Sequence, residues 1–257
     1  MKPRIFIPAI TSIAVAVLVT ASLSAQSVLV TYGLDSNNKN GVATNIATTI
    51  TATAMSASAD GAAAGNFGFS SSNGHAFSRL APSNGSSSAI LATSLDNALA
   101  GNRYFEFTLT PRTGETISIG TVSFNMLTQD IDGSKNAVFA ANYALVATVG
   151  GTTYTVGTST MTNQPNGVTQ GGPATFDLSS VAGFDFKAVD SAVTFKIFLY
   201  TDADVVLDYN QAIRLTNLVV STAAPAVPEP AHAALLLAGG VIALVILVRR
   251  RCFHRAG

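Results

Sequence analysis

The chain has 257 residues, with 14 basic and 14 acidic side chains, one cysteine and no tryptophan. That length allows one domain of about 200 residues with its own core besides terminal segments, and the neutral balance without a basic stripe excludes a nucleic-acid-binding chain. The single cysteine, Cys252, excludes a disulfide framework, so a folded part must be held by packing or bound ions.

Residues 1–25 read as a secretory signal peptide. Lys2 and Arg4 precede an apolar stretch over 5–19, and Ser22, Ser24 and Ala25 offer signal peptidase a small-residue site between Ala25 and Gln26. An uncleaved membrane anchor would use the same stretch, but its shortness and Pro8 favour cleavage. Between Gln26 and Val227 stand eight basic and thirteen acidic residues, a net charge of −5 that the neutrality of the whole chain conceals.

Residues 26–222 form the expected exported domain. Its first part, 26–100, is rich in Ser, Ala, Thr, Gly and Asn, a composition that suits either thin strands between long polar loops or partial disorder. Apolar islands stand at 28–32, 46–50 and 90–95. From residue 101 the pattern sharpens. Over 104–110, Phe105, Phe107 and Leu109 share one face while Tyr104, Glu106 and Thr108 share the other, the alternation of a half-buried strand. A turn is expected over 111–114. Ile117 and Ile119 have one parity and Val122, Phe124 and Met126 the other, so an extra residue must be absorbed, and Gly120 is the natural place for a bulge. Tyr143, Leu145 and Val149 lead to Gly150-Gly151, a two-residue hairpin signal, and Tyr154 and Val156 return. Further strands are expected at 175–178, at 193–200 with Val193, Phe195, Ile197 and Leu199 inward, and at 213–220. With no helical period of useful length outside the two ends, the pattern predicts an all-β fold, an antiparallel β-sandwich or jelly roll.

The tail has a different grammar. Val227, Pro228, Glu229 and Pro230 form an extended motif, because neither proline donates an amide and each pushes its predecessor out of helical space. Pro230 can open a helix, and the apolar run over 231–248 at about 1.5 Å per residue matches a bilayer's hydrocarbon thickness. Arg249, Arg250 and Arg251 would hold the helix end on the cytoplasmic side of the inner membrane, leaving everything before Pro228 outside the cytoplasm. The organisation is therefore a signal peptide over 1–25, a domain over 26–222, a linker over 223–230, a single transmembrane helix over 231–248 and a basic cytoplasmic tail over 249–257.

The Pro-Glu-Pro motif followed by an apolar helix and an arginine cluster resembles the PEP-CTERM sorting signal of exported bacterial proteins. Cys252 to Gly257 extend past the basic cluster, a departure from that pattern. The run from Asn102 to Pro111, with Tyr104-Phe105-Glu106-Phe107-Thr108-Leu109, is similar to a strand found in many jelly-roll domains of PEP-CTERM proteins. The runs 176–179, 193–197 and 214–218 are similar to strands that close such domains. The resemblance implies a Gram-negative host, processing by an exosortase-like membrane transpeptidase, and association with extracellular polysaccharide production.

Residues able to carry chemistry are few. His75 is the only histidine between the two ends and lies outside any G-x-S-x-G elbow, which leaves no base for a serine nucleophile and no multi-imidazole zinc site. Glu106 and Glu115 are the only glutamates there and do not form the close pair of a glycosidase. Asp130, Asp132 and Asn136 around Gly133, and Asp202, Asp204 and Asp208, are oxygen donors that calcium could use. The first group fails the EF-hand template, with Lys135 and Ala141 at two required positions, and reads better as an Asp-Gly turn. The second fits charges guarding an apolar strand. Six tyrosines, Tyr32, Tyr104, Tyr143, Tyr154, Tyr200 and Tyr209, could stack on sugars, though packing explains strand tyrosines equally well. Two functions stay open: a non-enzymatic surface or matrix protein without cofactor, and a carbohydrate-binding module that contacts exopolysaccharide through one sheet face.

Overall fold

Alternating apolar side chains give this chain strands that each bury one face, and two sheets close on one another to cover those faces. The computed structural model describes residues 26–34, 41–58, 67–69, 76–79, 92–130, 139–162, 170–201 and 211–223. In chain order the elements are β1 (Val28–Tyr32), β2 (Ala43–Thr44), β3 (Ile50–Ala52), β4 (Ser56–Ala57), β5 (Phe67–Phe69), β6 (Ala76–Arg79), helix α1 (Leu95–Ala100), β7 (Tyr104–Pro111), β8 (Thr121–Asp130), β9 (Ala140–Val149), β10 (Thr152–Thr162), β11 (Gln170–Asp177), a 3-10 turn (Leu178–Ser180), β12 (Val193–Thr201) and β13 (Gln211–Ser221).

Sheet A has the order β11-β8-β13-β1-β2, with β6 also pairing β13 and β5 pairing β6. Sheet B has the order β10-β9-β12-β7-β3, with β4 beside β7. All these pairings are antiparallel. The strand orders β1-β13-β8-β11 and β7-β12-β9-β10 on facing sheets are those of a jelly roll. The all-β antiparallel sandwich is therefore the fold of the described residues. The signal sequence over 1–25, the motif Val227, Pro228, Glu229 and Pro230, the helix over 231–248 and Arg249, Arg250 and Arg251 lie outside them.

Residues of both sheets supply one core. Phe105, Phe107, Leu109, Ile117, Ile119, Val122, Phe124, Leu145, Val193, Phe195, Ile197 and Leu199, the inward set expected from alternation, are all buried. Register explains why: Phe107 lies opposite Phe195, Phe105 opposite Ile197 and Leu109 opposite Val193. Rings tie the layers together, Tyr32 to Phe107 at 5.0 Å and Phe124 to Tyr143 at 5.5 Å between centroids. Gly150 and Gly151 sit at φ of 56° and 83°, the left-handed pair of a type I′ turn, and hold Thr152 opposite Val149 as the double glycine predicts.

Three details differ from expectation. The turn after β7 is shifted by one residue, with the Glu115 amide donating to the Arg112 carbonyl. The apolar island at 90–95 leads into α1 instead of a strand, because Ser94 caps it by accepting from the Asn97 amide at 3.2 Å. Six residues are too few to show a helical period. Finally, the change of phase at Gly120 is a handover, not a bulge within one strand: Ile117 forms an isolated bridge with Val189, and β8 begins only at Thr121.

Two tyrosine hydroxyls bond across the layers. Tyr143, on β9, shares its proton between the carbonyls of Arg214 at 2.7 Å and Leu127 at 3.1 Å, and Tyr32, on β1, donates to the Thr53 carbonyl at 2.8 Å. Burial pushes both phenols above their ordinary value. The unfolded chain ionises them near pH 10, whereas the fold keeps them protonated, so their contribution is full below about pH 10 and is lost as pH rises. Stability should therefore fall by about 1.4 kcal/mol per pH unit for each phenol above pH 10. Denaturant unfolding across that range, paired with phenolate absorbance, checks this. Absorbance that assigns a phenolate near pH 10 in the folded protein to Tyr32 or Tyr143, by its loss in Tyr32→Phe or Tyr143→Phe, would contradict it.

Candidate functional site

The outer face of sheet B is built from the residues that alternate with the core. Register aligns Thr108 of β7, Thr194 of β12, Thr148 of β9 and Thr153 of β10 in one row across four strands. The Thr108 and Thr194 hydroxyls are 2.9 Å apart, and those of Thr148 and Thr153 are 3.1 Å apart. Thr51 lies opposite Thr110 beside this row. β-Branched threonine suits a strand, its methyl covering the pleat while its hydroxyl faces water. The next row contains Glu106 opposite Lys196 and Lys196 opposite Val146.

Beyond that row the face turns apolar and is covered. Tyr104, Phe198, Ala144 and Val146 pack with Ala98 of α1 in a second, smaller core. Tyr104 meets Phe198 edge-on at 5.3 Å, and the Lys196 ammonium lies 4.0 Å over the Tyr104 ring. Tyr104 is thus outward by parity, as expected, yet buried, and no sugar platform. Past the helix, Tyr200 lies opposite Asn142 and stays partly open, while Thr160 donates to the Asn142 amide oxygen at 2.7 Å. Burial raises the Tyr200 phenol above its ordinary value, so it is a neutral donor at physiological pH.

The remaining candidates fall in different places. Tyr32 and Tyr143 are inside the core, Tyr154 packs on Phe184 at 5.1 Å, and Tyr209 lies outside the described residues. Glu115 is exposed in the turn after β7. The five residue steps from Glu106 to Pro111 along β7 alone span about 17 Å, against roughly 5–10 Å for paired glycosidase carboxyls. Asp130 ends β8 opposite Gln211. Asp132, Asn136, Asp202, Asp204, Asp208 and His75 lie outside the described residues, as does Ala25, while Gln26 precedes β1. Among the described residues no three His, Cys, Asp or Glu side chains gather as a metal site, and no helix is long and apolar enough to cross a membrane. Asp177 caps the 3-10 turn, and the Ser179 hydroxyl first, then the Ser179 amide at 2.8 Å, donate to its carboxyl and hold it below the usual range.

Chemically, among the described residues, this part of sheet B offers hydroxyls, a carboxylate, an ammonium and a phenol, groups that hydrogen-bond a hydroxyl-rich ligand. The threonines of the row stand far apart in the sequence, at 108, 148, 153 and 194, and only the strand register shows that they align.

No family model and no curated protein matches the chain. Among solved structures, it is similar to the K1 cleaved adhesin domain of Lys-gingipain from Porphyromonas gingivalis, with 18% identity over 75% of this chain and 96% of that one and a TM-score of 0.37. It is also similar to a carbohydrate-binding module, CBM28, specific for non-crystalline cellulose, with 10% identity over 60% of this chain and 78% of that one and a TM-score of 0.35. A family 22 carbohydrate-binding module of Clostridium thermocellum Xyn10B gives 15% identity over 72% of this chain and 92% of that one, with a TM-score of 0.29. Likeness at this level assigns the chain neither a family nor a ligand.

Proposed function

We propose that this is an exported, non-enzymatic bacterial cell-surface or extracellular-matrix protein, delivered by a signal peptide and processed through its C-terminal tail by an exosortase-like membrane transpeptidase. The observation that carries this reading is the sequence of the tail: Val227-Pro228-Glu229-Pro230, eighteen apolar-rich residues and three arginines in succession. The two prolines keep the peptide extended at the outer interface, where a membrane enzyme can reach it. Glu229 resists burial in lipid and sits beside the N-terminus of the helix, where negative charge is favoured.

Replacing Glu229 by alanine is expected to leave export and insertion intact while blocking release from the helix. Removing Arg249, Arg250 and Arg251 should disturb orientation instead. Size and location of the protein in a host with its sortase provide the readout. Equal processing of Glu229→Ala and the parent would make the motif a spacer and the protein a plain membrane-anchored one.

A second reading, a carbohydrate-binding module on exopolysaccharide, is favoured by the hydroxyl row Thr108-Thr194-Thr148-Thr153, half-buried except for the exposed Thr153, and the half-buried Tyr200 ring on the same sheet. A glycan array probed with the protein separates it from the first.

A further inference from the structure

Exposed sheet edges invite a further strand, and folded proteins guard them with charge, proline, bulges or shortness. The edges of this sandwich are guarded unequally. β2, β3, β4 and β5 are only two or three residues long. β11 carries Pro173 in its middle, which has no amide to donate. β10 is different: it runs for eleven residues, Thr-Thr-Tyr-Thr-Val-Gly-Thr-Ser-Thr-Met-Thr, with no charged residue and no proline, and among the described residues it pairs with β9 alone. Its one irregularity lies between Thr155 and Gly157, so Gly157 to Thr162 form an uninterrupted stretch of six.

Parity fixes which groups face the open side. The two-residue turn makes Val149 and Thr152 a hydrogen-bonded pair. Alternating from there and allowing one residue for the bulge, Gly157, Ser159 and Met161 turn their backbone groups to β9. Thr158, Thr160 and Thr162 turn theirs outward.

We propose that β10 pairs antiparallel with β10 of a second copy of this chain, about a two-fold axis at Thr160, joining two B sheets edge to edge. In this register Thr160 faces its own counterpart and Thr158 faces Thr162, so every outward amide and carbonyl of the stretch finds a partner and the interface is self-complementary. Threonine opposite threonine is the pairing sheet B already uses between Thr108 and Thr194 and between Thr148 and Thr153. Charge selects the occupant. The segment from Gln26 to Val227 carries −5, which opposes self-association wherever charged surfaces meet, whereas β10 itself carries no charged residue. The inference rests on the strands alone and is independent of the tail.

Sedimentation equilibrium of the full chain in density-matched detergent tests it with three proteins: the parent, Thr160→Lys and Thr160→Glu. The parent should form a dimer. Each variant places like charges directly opposite at the axis and should weaken dimerisation about tenfold or more, while an equimolar mixture of the two should recover it as a mixed pair. Thr160 is exposed and each variant loses only the hydroxyl's bond to the Asn142 amide oxygen, so each should melt within about 2–4 °C of the parent, and recovery in the mixture itself shows that both are folded. A monomeric parent would overturn the proposal, and so would variants that dimerise like the parent, the signature of association through the tail or another surface. A mixture no tighter than its components would overturn it as well, including the case in which β10 receives a strand from an unrelated protein.

Discussion

Replacing Phe107 by alanine should lower the unfolding free energy by about 3–5 kcal/mol. Phe107 is 1% exposed and stands where the two layers meet: its ring stacks on Phe195 of the neighbouring strand at 5.1 Å and packs at a tilt against Tyr32 of the opposite sheet at 5.0 Å. Alanine would remove the ring from both contacts and leave a cavity that backbone on two sides prevents from collapsing. A domain of this size has roughly 5–15 kcal/mol in total, so the loss is a large fraction. Denaturant unfolding should show a lower midpoint with an unchanged slope. Thr108→Ala is the control, one residue along and on the outer face, where it loses a hydroxyl contact to Thr194 worth about 1 kcal/mol. Equal midpoints for Phe107→Ala and the parent would mean that the register of β7 is wrong.

That register was legible in the sequence because period-two alternation and burial are one fact seen twice. Phe105, Phe107 and Leu109 share a parity, and so do Val193, Phe195, Ile197 and Leu199, so pairing β7 with β12 puts both sets on one face. Gly150-Gly151 announced its turn because glycine takes two left-handed conformations in succession without steric cost. Tyr104 shows where this reasoning stops. Parity places it outside, correctly, but six residues of α1, arriving from a stretch without periodicity, cover it together with Phe198. Which outer rows stay open therefore depended on a tertiary contact. The candidate surface was hidden for a related reason: threonines at 108, 148, 153 and 194 align only when four strands are set in register. The tail could be read without any fold, since prolines, an apolar length and a charge cluster act locally.

The handover at Gly120 carries the other large effect. Ile117 and Ile119 bond to the segment holding Phe186 and Val189: the Ile117 amide donates to the Val189 carbonyl at 2.9 Å, and the Ile119 amide to the Phe186 carbonyl at 2.9 Å. One residue later the chain changes partner. The Gly120 amide donates to the Ser221 carbonyl at 2.9 Å, at the end of β13, and its carbonyl accepts from the Leu178 amide at 2.8 Å. Both backbone groups are thus committed, and Ile119 and Val122, three residues apart, both stay in the core. The crossing chain leaves no room above the residue. A Cβ at Gly120 would stand 2.4 Å from the Ala223 Cα, 2.5 Å from its amide nitrogen and 2.5 Å from the Thr222 carbonyl oxygen. These are backbone atoms, so no rotamer relieves the clash. Gly120→Ala must push the end of β13 away from β8, at the expense of the Gly120–Ser221 bond and of the Thr222 amide's bond to the Ser27 carbonyl at 2.8 Å. The expected cost is about 3 kcal/mol or more. Gly172→Ala serves as the control, because nothing lies within 4 Å of its Cβ position and its φ is not left-handed; it should change stability by less than about 1 kcal/mol. Amide exchange locates the damage: protection should fall first at Gly120 and Thr222, while the Tyr104 amide, held by the Ser58 hydroxyl at 3.2 Å in sheet B, keeps its rate relative to global unfolding. A Gly120→Ala protein as stable as Gly172→Ala would show that β13 ends elsewhere and that the phase change is absorbed at another residue.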